Sequence, residues 1–351
     1  MEGSKKKIIR ITTVPQSLKT LLKGQLRYMS DSYDILAVSS EGECFEEMLK
    51  EQGVKGVQIN MSRQITPFKD LLSLYKLVRL FQKEKPFIVH THTPKAGTLG
   101  MIAAKLTGVP HRLHTVAGLP LLVTTGAKRK LLNWVEKITY RCATLVLPNS
   151  FALKNIILEN KLTSNIKLRV IGEGSSNGID TNYFSVTAVA ESKTEIRKSL
   201  GFDKNDFVFV FVGRMVKDKG INELVSAFTQ LYKEAQRAKL LLVGPFEKEL
   251  DPLLPETEQA ILNHEGIKFV GFQKDVRPFF KAADALVFPS YREGFPNVVM
   301  QAGAMGLPSI VTDINGCNEI IIEGKNGVII PSRDRKALLE QMSYFITNRT
   351  A

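Results

Sequence analysis

The 351-residue sequence predicts an α/β protein made of two doubly wound domains, each built on a parallel sheet. Short, nearly all-apolar runs alternate with helix-period segments along the whole chain, which is typical of strands buried on both faces. The length exceeds what one hydrophobic core normally serves. A polar, glycine-rich stretch, GEGSSNGIDTNYF at 172–184, separates two such sets of strands and helices.

The two predicted domains are 1–185 and 186–351, joined by a hinge at about 172–190. The runs predicted as strands in the first domain lie at 7–14, 33–39, 56–60, 87–92, 111–116, 143–150 and 166–172, with helices near 17–30, 43–52, 67–84, 95–107, 127–141 and 150–160. Those of the second lie at 206–214, 239–244, 267–271, 285–290, 308–313 and 327–331, with helices near 220–236, 255–263, 275–282, 296–305, 317–323 and 334–345.

The composition is that of a soluble globular protein, with 44% apolar and 24% charged residues. No apolar run approaches the roughly 18 residues that a membrane span needs. The opening KKKIIRITTVP alternates like a strand and makes a poor signal peptide. Three widely separated cysteines (Cys44, Cys142, Cys317) fit reduced thiols in a cytosol, because neither a disulfide framework nor a metal-binding spacing is present.

The positive charge of the chain is confined to its first half. Residues 1–185 carry 27 Lys and Arg against 14 Asp and Glu, a net charge of +13, whereas residues 186–351 carry 21 of each. Such asymmetry favours an anionic partner, namely nucleic acid, acidic lipid or a phosphorylated substrate, although solubility alone is the plainer explanation. Aromatic platforms and a recognition motif for nucleic acid are lacking, so a nucleic-acid partner is not expected.

Two basic helices of the first domain predict a surface for anionic membranes. The apolar loop Leu119–Val123 precedes a basic helix that holds the only tryptophan, Trp134, and FKDLLSLYKLVRLFQKEK at 67–84 forms a second basic helix. The alternative is that the leucines pack against the sheet and the cations form a solvated face. The cations concerned are Lys128, Arg129, Lys130, Lys137 and Arg141 in the first helix, and Lys69, Lys76, Arg79 and Lys83 in the second.

A predicted phosphate site follows the first strand of the second domain. Arg214 leaves the end of that strand, and Lys219 lies just before the helix that starts near Gly220. Two cations at a strand end and a helix start suit a phosphate or diphosphate. A cation in such a loop is also common without function. This pattern therefore indicates a phosphate site only together with a second sequence pattern.

The second pattern is EGFPNVVMQ at 293–301. Pro296 suits the first position of a helix, which puts Asn297 and Gln301 four residues apart on one face. Glu293 lies in the loop ahead of that helix. A diphosphate would then contact the two cations and the helix start, leaving Glu293 and Gln301 for hydroxyl groups. The structural alternative is a carboxylate that caps the helix and an amide that faces solvent.

The histidines do not indicate a metal. Four of the five (His90, His92, His111, His114) lie within 90–114, but no cysteine or paired carboxylate accompanies them. The turn after the first strand also lacks the glycine fingerprint of dinucleotide-binding domains, which argues against a nicotinamide-dependent oxidoreductase.

FVGRMVKDKG, ALVFPSYREGFPNVVMQAGAMGLPSIVTDINGCNEII and GVIIP together resemble the retaining glycosyltransferases of family 4, with the GT-B fold, over essentially the whole chain. The resemblance implies two such domains facing across a cleft, no metal and no cofactor. It implies that Arg214 and Lys219 hold the donor diphosphate, Glu293 faces the donor sugar and His114 lies near the reacting bond. Further donor contacts are implied for Gly294, Phe295, Pro296 and Asn297, and for Gln301, which stands where the family has a glutamate for the ribose.

The run HTHTPKAGTLGMIAAKLTGVPHRLHTVAGLP resembles the subgroup that extends polyprenyl-diphosphate-linked sugars for capsule, O-antigen or protein glycans. It implies a UDP-linked donor, with an N-acetylhexosamine as the expected sugar, and a cytoplasmic enzyme on the inner face of the bacterial plasma membrane. Lys95, Ala96 and Gly97 begin a helix and are candidates to approach the acceptor phosphate.

Two other kinds of function remain open: a nucleotide-sugar epimerase or a phosphorylase on the same fold, and a non-catalytic, membrane-bound partner of a glycosyltransferase. Gln301 is the only residue that hints at the second. Family members also end with a helix that crosses back to the first domain. The sequence ends with KALLEQMSYFITNRTA, which leaves little chain for such a helix, so a truncated terminus is expected.

Overall fold

A computed structural model describes residues 5–62, 64, 66–175, 177–247, 249 and 251–348. The chain divides into two compact units, Met1–Asn177 (unit 1) and Gly178–Ala351 (unit 2). The division falls inside the range predicted for the hinge, eight residues before the predicted boundary at 185; Ser176, in that range, lies outside the described residues.

Unit 1 is a doubly wound domain with a six-stranded parallel sheet in the order β3-β2-β1-β4-β5-β6. Its strands are β1 (Lys7–Ile11), β2 (Asp34–Ser39), β3 (Lys55–Gln58), β4 (Ile88–Thr91), β5 (His111–Val116) and β6 (Leu145–Pro148). Its helices are α1 (Pro15–Leu21), α2 (Gln25–Ser30), α3 (Cys44–Gln52), α4 (Pro67–Glu84), α5 (Pro94–Leu106), α6 (Gly126–Cys142) and α7 (Phe151–Glu159).

Unit 2 repeats this architecture, with a parallel sheet in the order β12-β11-β10-β7-β8-β9. Its strands are β7 (Phe207–Val212), β8 (Ala238–Val243), β9 (Ile267–Phe269), β10 (Ala285–Phe288), β11 (Ser309–Thr312) and β12 (Gly327–Ile330). Its helices are α8 (Lys193–Leu200), α9 (Ile221–Glu234), α10 (Pro255–Asn263), α11 (Arg277–Ala282), α12 (Asn297–Ala304), α13 (Cys317–Ile320) and α14 (Arg335–Thr347).

The cores follow from strands that are apolar on both faces. In unit 1, Ile9 belongs to the larger cluster beneath α4, α5 and α6, while its neighbour Ile8 belongs to a smaller cluster beneath α1, α2 and α3. Successive side chains of a strand point to opposite faces, so the sheet has a helical layer on each side. In unit 2, β7 reads FVFVFV, and Phe209 and Phe211 are fully buried in a single continuous core.

Three local predictions were wrong. The helix expected at 17–30 is two helices, because Gly24 adopts a left-handed conformation (φ 77°) between α1 and α2. The strand expected at 166–172 is absent, and Leu168 forms only an isolated bridge to Val146. Helix α8 was not predicted; it begins with a capping box in which Ser192 and Glu195 bond each other's backbone.

The connections place all strand-to-helix loops of a unit at the carboxyl edge of its sheet, where open α/β sheets bind ligands. Helices α4, α5 and α6 therefore all begin at that edge in unit 1, with α5 packed against both of the others. Within the described residues, no helix is both long and apolar enough to cross a bilayer.

Candidate active site

Lys219 and Glu293 form an ion pair at the carboxyl edge of unit 2. Lys219 ends a short 3-10 turn, Lys217–Lys219, after β7, and Glu293 lies in the loop between β10 and α12. Both side chains are largely buried, and Ser290 Oγ donates a hydrogen bond of 2.8 Å to Glu293 Oε1. The sequence stretches 214–220 and 293–301 thus meet through the predicted cation Lys219 and the predicted carboxylate Glu293.

A second ion pair holds the two loops together. The Arg292 guanidinium donates to Asp218 Oδ2 at 2.7 Å, and the backbone N–H of Tyr291 donates to Asp218 O at 2.8 Å. Asp218 N–H in turn donates to Asp251 Oδ2 at 2.7 Å. Because Asp218 precedes Lys219 and Arg292 precedes Glu293, these contacts set the distance between the two groups of the site.

Two glycines allow the backbone of the site to pack this closely. A Cβ on Gly220, which has φ +71°, would lie 2.1 Å from Pro289 O. A Cβ on Gly316, with φ +82°, would lie 2.5 Å from Gly294 O. Beside Gly316, the Asn315 amide donates a hydrogen bond to Glu293 O. Any side chain at either glycine would push the Glu293 loop away from its supports.

Arg214 follows β7 as predicted, and its guanidinium forms an ion pair with Glu247, in the loop after β8. The Arg214 side chain is 43% exposed, so it can reach a ligand at the carboxyl edge if Glu247 releases it. Both predicted phosphate-binding cations of unit 2 therefore have a carboxylate partner of their own in this state.

The predicted helix after Glu293 is α12, with a start one residue later than expected. Pro296 is its N-cap rather than its first residue, and the Pro296 side chain makes no capping hydrogen bond. Asn297 and Gln301 occupy positions one turn apart on α12, and both are half-buried. Gly294 and Pro296 are buried, and Phe295 is half-buried, in the loop that carries Glu293.

His114 lies in unit 1, whereas the other predicted site residues lie in unit 2. It is buried on β5, its Nδ1 is 2.8 Å from Thr91 Oγ1, and its ring stands where a Cβ on Gly97 would be. Burial lowers the pKa of His114 to about 4. The imidazole is therefore neutral at pH 7, a hydrogen-bonding group rather than a cation.

Several residues of the site were not predicted from the sequence. Ser290, Asp218 and Arg292 hold Glu293 and Lys219, and Asn315 supports the same loop from the turn before α13. The motifs SYRE and KDKG contain the first three, but nothing in their order shows which side chains meet. Cys317, at the start of α13, is buried, and its burial, followed by the Glu293 charge, raises the pKa of its thiol well above the ordinary value.

The described residues contain no group of three or more His, Cys, Asp and Glu side chains arranged to hold a metal ion.

One prediction for unit 1 needs correction. Leu119 and Leu121 do not form an exposed apolar loop, because both side chains are buried in the core; the side chain of Val123 lies outside the described part of the chain. Lys95, a candidate for the acceptor phosphate, forms an ion pair with Asp70, and the Ala96 N–H donates to Thr13 Oγ1 at 3.3 Å.

The two basic helices instead carry several exposed apolar side chains. Trp134 of α6 is 62% exposed and Phe68 of α4 is 92% exposed. Further along α4, a groove of about 730 Å³ runs between that helix and β3. The other large apolar side chains exposed on these helices are Leu71, Leu72, Tyr75 and Leu131, and the groove is lined in part by Lys76, Arg79 and Lys83.

Comparison with known proteins places this geometry in a protein class. Residues 192–351 match the family described as glycosyl transferases group 1, and residues 25–174 match the glycosyl transferase 4-like domain. HepE from Anabaena, solved with UDP and glucose, superimposes with a TM-score of 0.80 at 19% identity, over 98% of this chain and 90% of that one. WaaG, a lipopolysaccharide glycosyltransferase, gives a TM-score of 0.75 at 16% identity, over 97% of this chain and 91% of WaaG. The α/β fold is therefore GT-B.

Two curated relatives cover nearly the whole chain. The capsular polysaccharide biosynthesis glycosyltransferase CapM of Staphylococcus aureus is 36% identical over 98% of this chain and 88% of its own. The UDP-Gal:α-D-GlcNAc-diphosphoundecaprenol α-1,3-galactosyltransferase of Escherichia coli is 31% identical over 87% of this chain and 78% of its own. The chain belongs to this family of glycosyltransferases.

Proposed function

We propose that the protein transfers a sugar from a UDP-linked donor to a sugar carried on a membrane polyprenyl diphosphate, with retention of the anomeric configuration. The observation that carries this proposal is the Lys219–Glu293 pair, fixed at the carboxyl edge of unit 2. One side chain is suited to a leaving diphosphate and the other to sugar hydroxyls. The names of the relatives that act on lipid-linked sugars and the fold of a UDP-bound neighbour support the choice of substrates.

The donor diphosphate is proposed to bind Arg214, Lys219 and the start of α12, where the positive end of the helix favours an anion. An ammonium group has three N–H donors, so Lys219 can keep Glu293 while it also binds a phosphate oxygen. Arg214 must release Glu247 or share its guanidinium with it. Gln301 is proposed to bind the ribose hydroxyls through its amide, without the charge of a carboxylate.

Transfer breaks the bond between the anomeric carbon and the diphosphate oxygen. The acceptor hydroxyl oxygen forms its new bond to that carbon on the same face, and its proton passes to the departing phosphate. Negative charge grows on the diphosphate, where Arg214, Lys219 and the helix start stabilise it. Glu293 orients the sugar, and His114, neutral at pH 7, is proposed to donate or accept a hydrogen bond near the reacting carbon.

The acceptor is proposed to be reached at an anionic membrane surface on the cytoplasmic side, with α4 and α6 as the contact. Apolar side chains exposed in the first turns of α4 lie ahead of the basic groove on the same helix, and Trp134 lies on basic α6. The cations predicted to contact lipid on these two helices form no ion pair with any residue that the structure describes. Lipid phosphates would supply the missing anions.

The test is a panel of radiolabelled nucleotide sugars offered with polyprenyl-diphosphate-linked acceptors. Transfer from one UDP-sugar to a lipid-linked acceptor, with an α-linked product from an α-linked donor, is expected. Inversion at the anomeric carbon would refute retention. Conversion of the nucleotide sugar without any acceptor would favour an epimerase, and binding of neither UDP nor any UDP-sugar would favour a non-catalytic partner.

A further inference from the structure

Arg10 of β1 is a buried cation that the described residues leave without a carboxylate partner. Its side chain is only 2% exposed. Its Nε donates to His92 Nε2 at 3.0 Å, one terminal nitrogen donates to Gln25 Oε1 at 2.8 Å, and the other lies 2.8 Å from the Met29 sulfur. All three partners are neutral groups.

Arg197 of unit 2 shows how this protein holds a buried arginine whose role is structural. It is 3% exposed, and one terminal nitrogen donates to the Asp284 carboxylate at 2.6 Å. Its other N–H groups donate to backbone carbonyls, among them those of Ala282 and Asp206. A buried charge without a counter-charge costs several kcal/mol. Arg10 therefore carries a cost that the fold avoids at Arg197.

Among the described residues, the groups around Arg10 are neutral at pH 7. Burial lowers the pKa of Arg10 to about 10, so the guanidinium remains charged at pH 7. Burial, with the charge of Arg10 as a further cause, lowers the pKa of both His90 and His92 well below the ordinary value. His90 Nε2 lies 2.8 Å from Thr115 Oγ1 on β5. The cluster is thus one cation among neutral hydrogen-bonding groups.

The place of this cluster in the fold is one where ligands bind. Arg10 is the penultimate residue of β1 and pairs in register with His90, while His92 immediately follows β4. Both therefore lie at the carboxyl edge of the unit 1 sheet. Gln25, which covers the guanidinium, is the first residue of short helix α2 and follows the left-handed Gly24; its amide also donates to Asn177 Oδ1 at 2.8 Å.

We propose that Arg10 and His92 form a phosphate subsite that takes the diphosphate of the lipid-linked acceptor, and that Gln25 Oε1 occupies the anion's place in the ligand-free protein. A phosphate oxygen at that position accepts the same N–H and adds the missing charge, since a charge-assisted bond is roughly twice as strong as a neutral one. The identity of the anion as an acceptor diphosphate rests on the proposed function. The presence of an anion subsite rests on the Arg10 cluster alone.

The experiment is a calorimetric titration of inorganic pyrophosphate into the full-length protein saturated with UDP, which fills the donor site first. The wild type is expected to bind. Arg10→Gln is expected to weaken binding at least 10-fold. Gln25→Glu keeps Arg10 and supplies its missing carboxylate, so it is expected to weaken binding to a similar extent without lowering the melting temperature. Arg112→Gln is the matched control, because Arg112, at the opposite end of β5, donates to the carbonyls of Cys142 and Val109.

The proposal is overturned if the UDP-saturated wild type does not bind pyrophosphate, or if Gln25→Glu binds it as tightly as the wild type. It is equally overturned if Arg112→Gln weakens binding as much as Arg10→Gln, because that result indicates attraction to net charge alone. Should Arg10→Gln not fold, Gln25→Glu decides. UDP binding and sugar transfer are measured separately, so failure of the proposed function leaves the pyrophosphate result to be judged by itself.

Discussion

The two units have the same architecture but treat their positive charges in opposite ways. In unit 2, each cation assigned to the donor has a carboxylate beside it, Glu247 for Arg214 and Glu293 for Lys219. In unit 1, the buried guanidinium of Arg10 has only neutral partners among the described residues, and the groove cations of α4 form no ion pair there. Other lysines of unit 1 do have a carboxylate partner, as the ion pairs of Lys7, Lys19 and Lys95 show.

This difference separates two ways of preparing for an anion. A cation that is already paired is held in position, and an incoming diphosphate must share it or displace its partner. A cation that is not paired gains its counter-charge only from the ligand, so it contributes more to affinity and less to the stability of the empty protein. The proposed donor-binding cations of unit 2 are thus held in position, whereas unit 1 has cations without a carboxylate partner among the described residues.

The largest effect is expected when the carboxylate that positions Lys219 is removed. Glu293→Ala is expected to lower kcat about 1,000-fold, because the sugar loses its orienting group and the paired ammonium loses its fixed position. Binding of UDP, measured by calorimetry, is expected to stay within a few-fold of the wild type. A variant that keeps most of its turnover would show that the pair is structural only. Glu340→Ala, which removes an exposed carboxylate of α14, serves as the control.

The membrane surface gives the next largest effect. The triple variant Lys76→Gln, Arg79→Gln, Lys83→Gln is expected to bind vesicles with 30% phosphatidylglycerol about 100-fold more weakly, at roughly 1 kcal/mol for each basic residue near the lipid. Binding is measured by co-sedimentation with the vesicles at low and moderate salt. The matched control is Lys198→Gln, Lys233→Gln, Lys268→Gln, which removes the same charge from unit 2. Equal losses in both triple variants would mean that α4 has no special role.

The ion pair between Arg292 and Asp218, which links the two loops of the candidate site, is expected to give a smaller effect. Arg292→Gln is expected to lower kcat/KM for the donor about 10-fold, because Asp218 loses its side-chain partner and Lys219 shifts relative to Glu293. Asp218→Asn is expected to have a similar effect, and the double variant should be little worse than either single one. Arg277→Gln, which breaks a local pair with Asp275, is the control. Additive losses in the double variant would argue against a positioning pair.

The last prediction concerns stability rather than activity, at a buried carboxyl of unit 1. Burial raises the pKa of Glu136 to about 7, and the neighbouring Tyr140 side chain partly opposes the shift. A folded-state pKa above the unfolded value means that ionisation of Glu136 destabilises the fold as the pH rises from about 4.5 through 7. Glu136→Gln is therefore expected to raise the unfolding free energy by about 3 kcal/mol at pH 8 and by less than about 1 kcal/mol at pH 5. Denaturant melts at both pH values provide the measurement, and a gain that does not depend on pH would contradict it.

How much of the structure can be predicted from the sequence depends on how far apart in the chain the interacting residues lie. Helix α4 spans the predicted residues 67–84, because a proline at its start and an amphipathic period are local features. The split at Gly24 and the lost strand at 166–172 were missed, since a single left-handed residue and an absent sheet partner leave little trace in composition. The surface leucines were misjudged in the same way. Leu119 and Leu121 read as an exposed loop but fold into the core.

The sequence by itself determined two parallel-sheet domains, the residue types of the donor site and the concentration of positive charge in the first half, because period, turn chemistry and composition are all encoded locally. Only the tertiary structure decided which charges are paired. Arg292 with Asp218, Lys95 with Asp70, and Arg10 with neutral partners are contacts between segments up to 82 residues apart. Such contacts depend on strand order and on the meeting of loops at one sheet edge, which no local pattern specifies.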